Sequence, residues 1–553
     1  MKHQKKWIMM LAGVLAAGAV SAHAQVVINM GGSSAGTGFA TNVPPRLFKA
    51  HSVAPVTHYI NGTILGAPDA DPNTSGTQAS ITAGRMHVWA GTLDGTATGN
   101  PALDGLAGVI RYTATGSADG IRKLQNQTAP TSLYAVDAQP GFMTFLDHTI
   151  ATGCGAPVNI DTNGDAITDY QEVTGCTGLL SSPVSGGGNA IGGPTHLGAS
   201  DTEGSSFGQS GPLGTTAPKQ DQSLLVSAKP AVVPFKIVVG KGVKKLSDPS
   251  NPASALVPIT NLTRLQVEAI FAAASAMGGA RDWRRFDFVP DVNGDGIDDG
   301  GAATITLCPR TAGSGTKAAF DQTVMINQNE IGLASATVIF NGSSQDVVNC
   351  IIGRDTNANG LYNDAGDLIP HPLGIGYLDA DVLPYEPGDP NYKGDDSIDN
   401  DPLTAGIQTD ADAFPDVNTV SIDGAHVYDH TLRTLCGAPN GFGADFIGSG
   451  RSQCDPRARL IDGQYPYWVL WNLNRRPNGF AGISASQDNL MAAFIAKAGT
   501  SAVIETLSAG NYWISPSLMC VTKAFDRGPH IWLSSTTVPA APAHCAAGNG
   551  GGN

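Results

Sequence analysis

The chain has 553 residues and a formal net charge of −15, with 14% charged and 7% aromatic side chains. An acidic balance of this size excludes a nucleic-acid-binding protein and a basic membrane-surface protein, both of which need a positive footprint. The length suffices for two domains with a sizeable core, and the lack of any short repeat in the sequence excludes fibrous and collagen-like classes.

Residues 1–24 read as a secretory signal peptide. Lys2, Lys5 and Lys6 form its basic start, residues 7–20 its apolar core, and Ala22-His23-Ala24 its cleavage site. No Cys follows that site, so the usual bacterial lipid anchor is not expected. No later apolar run approaches a bilayer-spanning length. The mature chain is therefore expected to be soluble, and periplasmic or secreted.

The apolar run Val26-Val27-Ile28 predicts a strand leading into Gly32-Ser33-Ser34-Ala35-Gly36-Thr37-Gly38-Phe39. Such a hydroxyl-rich turn can aim several N–H and O–H donors at one ligand. Residues 50–175 carry strand-like alternations such as Met86-His87-Val88-Trp89, cut by Gly, Pro and Asn turns, and predict a β-rich insertion. Within it, Asp161, Asn163, Asp165, Asp169 and Glu172 have the spacing of oxygen ligands in an EF-hand-like calcium loop. Ile167 could add its carbonyl, while Ala166 stands where that turn prefers Gly.

Ser185-Gly186-Gly187-Gly188 and then Gly198-Ala199-Ser200-Asp201 follow. The run Val232-Val233-Pro234-Phe235-Lys236-Ile237-Val238-Val239 suits a buried strand that crosses between domains. A helix is predicted over residues 265–277, with Thr263 and Gln266 as a capping box. Asp291, Asn293, Asp295 and Asp299 repeat the calcium spacing with Gly296 in its turn, and Asp355, Asn357 and Asn359 form a poorer third copy. Bound calcium would be structural; the alternative is that Asp, Asn and Gly make solvated turns. Residues 350–371 and 380–420 read as acidic, turn-rich insertions. A second helix is predicted over residues 487–498, with Ser486 as its cap and Gly499 as its stop. Residues 546–553 are Gly- and Asn-rich and are expected to be disordered.

Arg310-Thr311-Ala312-Gly313-Ser314-Gly315-Thr316, opening onto Lys317-Ala318-Ala319-Phe320, is the most informative stretch. Unpaired N–H groups at a helix start stabilise a small oxyanion, and an Arg fork meets two of its oxygens. Eight cysteines in an exported chain point to disulfides rather than zinc, since no C-x2-C spacing is present. Sequential pairing, Cys154–Cys176, Cys308–Cys350, Cys436–Cys454 and Cys520–Cys545, is one of the many connectivities that eight cysteines allow. No H-E-x-x-H pair occurs and no His neighbours a nucleophile motif, so enzymatic activity is not expected.

The N-terminal hydroxyl turn, the Ser-Gly-Gly turn, Gly-Ala-Ser-Asp and Arg-x-x-Gly-Ser-Gly-Thr, in this order, resemble the motifs of PstS-type phosphate-binding receptors of ABC transporters. Asn261-Leu262-Thr263-Arg264 with Ile270-Phe271 and Trp283, Leu373-Gly374-Ile375-Gly376-Tyr377, and Tyr465-Pro466-Tyr467 are similar to framework segments of that family. The matches are islands between residues 26 and 500.

The resemblance implies an α/β, two-lobed periplasmic-binding-protein-like (type II) fold with β-rich and calcium-loop-like insertions. Lobe 1 would take residues 25–231 and 465–545, and lobe 2 residues 232–464. Arg310 would clamp the anion, Ser314, Gly315 and Thr316 would donate to it, and Ser185 and Ser200 would add hydroxyls. The N-terminal donor would come from Ser33, Ser34 or Thr37, with Ser34 and Thr37 the residues assigned. Asp201 would accept the ligand's own proton, favouring phosphate or arsenate over fully ionised sulfate. Ala312 stands where the family often has an acid, leaving Arg310 without that partner. The implied partners are inorganic phosphate and an ABC permease, the implied state a monomer, and no organic cofactor is expected. The competing reading is a calcium-stabilised extracellular structural or adhesion protein on a receptor fold that has lost its ligand.

Overall fold

The computed structural model describes residues 25–62, 64–69, 78–81, 84–125, 141–149, 153–161, 165–176, 190–208, 219–272, 281–326, 337–353, 368–380, 382, 417–428, 457–504, 513–523, 526, 531–532 and 545. The signal peptide, Asn163, the turn bearing Ser185, the loop of Asp355, Asn357 and Asn359, the Cys436–Cys454 pair and the tail lie outside the described residues.

A 13-stranded sheet organises the chain. Its strands are β1 (Val26–Gly32), β2 (Thr57–Asn61), β3 (Met86–Thr92), β4 (Ala107–Ala114), β5 (Val158–Ile160), β6 (Tyr170–Cys176) and β7 (Leu197–Ser200). They continue with β8 (Val226–Gly240), β9 (Asn261–Leu262), β10 (Thr306–Cys308), β11 (Gly374–Asp379), β12 (Val417–Ile422) and β13 (Trp468–Arg475). The helices that matter for the site are α1 (Ser117–Leu124), α2 (Arg264–Phe271), α3 (Gly315–Thr323), α4 (Ser344–Ile352) and α5 (Ala485–Ala498). The architecture is α/β and two-lobed.

In the first lobe β1 runs parallel to β7 on one side and β4 on the other. Ile28 and Met30 are fully buried, as a strand covered on both faces requires. Helix α1 lies so close to β7 that a Cβ on Gly198 would fall 1.9 Å from the Gly120 carbonyl oxygen. Glycine at both positions is what permits that approach. The described part of residues 50–175, expected as an insertion, is β-rich, but β4 and α1 within it form a βα unit beside β1. That unit belongs to the lobe's own core.

Strand β8 carries the chain between lobes. Residues 226–234 pair with β13, while residues 235–240 pair with β11 and β12. Val232, Val233, Phe235, Ile237, Val238 and Val239 are all fully buried, each stabilising the fold by about 1.5–3 kcal/mol. The predicted crossing run is the C-terminal half of this longer strand. In the second lobe β10 lies parallel to β11, and α4 packs on β11. Strand β13 returns to the first lobe and pairs with β7.

Local chemistry sets the helix starts. Thr263 and Gln266 make the expected capping box on α2, which is described as far as Phe271. Helix α5 begins two residues earlier than expected: Ser484, not Ser486, is the N-cap, with Gln487 completing the box. Gly499 is its C-cap. Disulfides join Cys154–Cys176, Cys308–Cys350 and Cys520–Cys545. Among the described residues no helix is long and apolar enough to cross a membrane.

Candidate functional site

Three helices point their N-termini at one place between the lobes. Ser117 opens α1, Ser314 caps α3 and Ser344 opens α4, and all three are buried. Each start follows a strand or a small-residue turn, where hydroxyl side chains can meet the orphan N–H groups.

From the first lobe come Ser33, Ser117 and Asp201. Ser33 follows β1, its N–H donating to the Ala199 carbonyl at 3.0 Å and its hydroxyl donating to Asp201 Oδ1. Ser117 Oγ donates to Asp201 Oδ2 at 2.9 Å and accepts from the Asp201 N–H at 3.1 Å. Tyr112 donates its hydroxyl to the Ser33 carbonyl. Asp201 is 2% exposed. Burial first, and the nearby charge of Asp379 second, push its carboxyl up to about 7, against the pull of the Ser33 and Ser117 hydroxyls and of Arg310.

The second lobe supplies Arg310, which is 3% exposed. Its Nη1 donates to Ser344 Oγ at 2.7 Å and Thr316 Oγ at 3.3 Å, and its Nη2 donates to the Gly342 carbonyl at 3.1 Å. Arg310 Nε is buried without a hydrogen-bond partner. Behind these hydroxyls lies Asp379, at the end of β11, accepting from Thr316 Oγ at 3.0 Å and Ser344 Oγ at 2.8 Å. Phe320 of α3 stacks on Tyr377 at 4.1 Å between ring centroids. Tyr467 donates to the Thr316 carbonyl at 3.0 Å. These contacts fix the start of α3.

The lobes touch here. The Ala118 N–H donates to the Gly313 carbonyl at 3.3 Å. A Cβ on Gly315 would fall 2.3 Å from Ser117 Oγ and 2.5 Å from Asp201 Oδ2. The first N–H groups of α3 thus face a carboxylate from the other lobe, with Arg310 beside them.

Of the residues singled out from sequence, the structure brings Asp201, Arg310, Gly315 and Thr316 together. Ser314 Oγ accepts from the Lys317 N–H as the α3 cap. Ser200 Oγ turns to the Thr202 carbonyl at 2.7 Å. The Ser34 carbonyl accepts from Thr37, so both belong to their own turn, and Ser33 is the residue that meets Asp201. Ser117, Ser344 and Asp379 were not singled out. Ser343-Ser344-Gln345-Asp346 is a capping signature that could have revealed Ser344: Ser343 and Asp346 form the box. Asp379 stands two residues after Tyr377 on one strand face.

In the Asp161 loop the oxygens face their own backbone. Asp161 Oδ2 accepts from the Ala166 N–H and Asp165 Oδ1 from the Ile167 N–H. Ala166 adopts φ 64°, the conformation glycine would take. Asp169 lies half-buried before β6. Glu172, expected to close the calcium ring, instead sits on β6 with Oε2 3.3 Å from His58 Nδ1. Strand alternation turns it away from the loop. In the second loop Asn293 and Asp295 accept from the N–H groups two residues on, and Asp299 from the Val292 N–H. Asp291 is 4% exposed, and its Oδ1 has no hydrogen-bond partner. Among the described residues no three His, Cys, Asp or Glu side chains are arranged to hold a metal ion.

No protein-family model matches the chain, and no curated protein matches it. Among solved structures, one assigned as a phosphate ABC transporter substrate-binding protein with bound phosphate, from Clostridium perfringens, is similar at 11% identity and a TM-score of 0.27. That match covers 56% of this chain and 76% of that one. An ABC-type phosphate transport receptor from Vibrio cholerae is similar at 14% identity and a TM-score of 0.26, covering 55% and 74%. Likeness at this level is too low to bear on the site.

Proposed function

We propose that this protein is an exported solute-binding receptor that captures an inorganic oxyanion, phosphate, between its two lobes for ABC-type uptake, and that it is not an enzyme. The observation that carries this reading is the meeting of the α3 N-terminus, the buried Arg310 with its unpaired Nε, and the protonatable Asp201 across the lobe boundary. Helix-start N–H groups and a guanidinium stabilise negative charge, while a carboxylate among them suits a ligand that brings a proton. Sulfate, fully ionised, would meet Asp201 as repulsion or an unpaired acceptor. A permease partner and a monomeric receptor follow from the sequence resemblance.

The test is calorimetric titration of the phosphate-stripped protein with phosphate and with sulfate, in the wild type and Arg310→Ala. One-to-one binding that prefers phosphate and is lost in the variant is expected. Equal affinity for both anions, or undiminished binding in Arg310→Ala, would sink the reading. A structural calcium ion is retained only for the Asp291 loop, where a buried carboxylate oxygen has no other partner. If the protein binds no oxyanion, the calcium-stabilised structural reading takes its place.

A further inference from the structure

The loop that carries Arg310 supplies no acid to hold it. Ala312 packs in an apolar cluster with Ala118, Ile121, Phe207 and Ala318, where a carboxylate would be buried without a partner. The counter-charge comes from a different element. Asp379, 3% exposed, accepts from the hydroxyls of Thr316 and Ser344, and Arg310 Nη1 donates to both of those oxygens.

We propose that Asp379 is a positioning and specificity-determining residue of this site, making it select a singly charged, doubly protonated oxyanion over the doubly charged form. This rests on the oxyanion-receptor reading above. Each hydroxyl has one proton, and Asp379 takes both. Thr316 and Ser344 therefore offer lone pairs to Arg310 and no proton to a ligand. The donors left for the anion are Arg310 Nε, the second N–H of Arg310 Nη2 and the open N–H groups at the helix starts that meet here. Thr316, which the sequence resemblance casts as a ligand donor, becomes part of the Arg310 support.

Charge follows from the same geometry. Two buried carboxylates share the site with one guanidinium, and the Asp379 charge, after burial, makes ionisation of Asp201 costlier. A dianion would add two charges beside the Asp379 carboxylate, which the Arg310 guanidinium already serves. A monoanion adds one and brings a second O–H to an acceptor. Other ionisable groups surround Asp379. Lys317 of α3 lies over Phe340 and 4.0 Å from Asp321. Asp346 of α4 caps its own helix. Lys236 of β8 is buried beside Leu378 in register, and Tyr377 accepts from the Arg310 N–H.

The experiment is phosphate titration of the stripped full chain from pH 5.5 to 8.5, in the wild type, Asp379→Asn and Ser344→Ala, with circular dichroism confirming the fold. Wild-type affinity is expected to fall about tenfold per pH unit once phosphate loses its second proton, following the supply of the monoanion. Asp379→Asn is expected to flatten that slope at least threefold. Ser344→Ala, which loosens Arg310 but keeps both carboxylates, should weaken binding at every pH and leave the slope intact. A wild-type affinity that is level across the range, or the same slope in Asp379→Asn, overturns the proposal. If Asp379→Asn does not fold, the wild-type and Ser344→Ala profiles decide, and a slope abolished in Ser344→Ala counts against it. Phosphate binding with the wrong slope leaves the receptor reading standing. No binding of any oxyanion removes both.

Discussion

Gly315→Ala separates a site between lobes from a site on one lobe. The new methyl carbon would lie 2.3 Å from Ser117 Oγ, 2.5 Å from Asp201 Oδ2 and 2.7 Å from Asp201 Cβ. Asp201 cannot swing aside cheaply, because Ser33 and Ser117 hold both its oxygens. Gly315 lies in a helix and outside the left-handed region, so alanine strains nothing within its own lobe and favours the helix by up to about 1 kcal/mol. The cost falls on the contact between the lobes, as overpacking of about 1–3 kcal/mol. At about 1.4 kcal/mol per factor of ten, phosphate affinity should drop roughly 5- to 150-fold. Calorimetry reads the affinity, and a ligand-free thermal melt reads the fold. Weaker binding with an undiminished melting temperature is expected. Unchanged affinity would refute the closed geometry, and parallel losses in both would show misfolding rather than a blocked closure.

Three further outcomes follow from other parts of the chain. Ser484→Ala should cost about 1 kcal/mol in denaturant unfolding by removing the α5 cap, while Ser486→Ala should cost almost nothing; the reverse order would restore the later start. Burial holds His58 down to about 2, helped by His87, and holds His87 down to about 4 against its bond to the Gly84 carbonyl. The unfolded chain protonates both near 6.5, so this stability is full above that pH and is lost as pH falls toward 4, by about 3 kcal/mol for His87 alone. Because Asp119, Asp201 and Asp526 are pushed up and act in the opposite direction, the readout is the difference between wild type and His87→Asn at pH 7.5 and 5. Identical losses in the two proteins would contradict this account. Chelator in calcium-containing buffer should lower the melting temperature, and Asp291→Asn should abolish that shift; no shift in the wild type assigns the loop to turn formation alone.

The sequence made legible what is local. Arg310, Gly315 and Thr316 share one motif, Asp201 sits in another, and the crossing strand is written as a run rich in β-branched residues. Ser117, Ser344 and Asp379 reach the site from three separate segments, and only packing of α1, α4 and β11 brings them together. Nothing near Asp379 in sequence signals that it answers for the missing acid at Ala312. Glu172 was drawn to a calcium loop by spacing, but the alternation of β6 gives it to His58, which lies on β2 and is distant in sequence. Ser484 was legible, since Ser484 and Gln487 have the capping-box spacing and Ser486 does not.

One oxyanion held between the lobes at Arg310 and the α3 N-terminus is what the receptor reading requires. A crystal structure of the stripped protein soaked with phosphate tests it most directly. One phosphate is expected within hydrogen-bond distance of Arg310 Nε and the Gly315 and Thr316 N–H groups, with Asp201 on its protonated oxygen. A fully occupied phosphate elsewhere, with Arg310 Nε still unpaired, would contradict it.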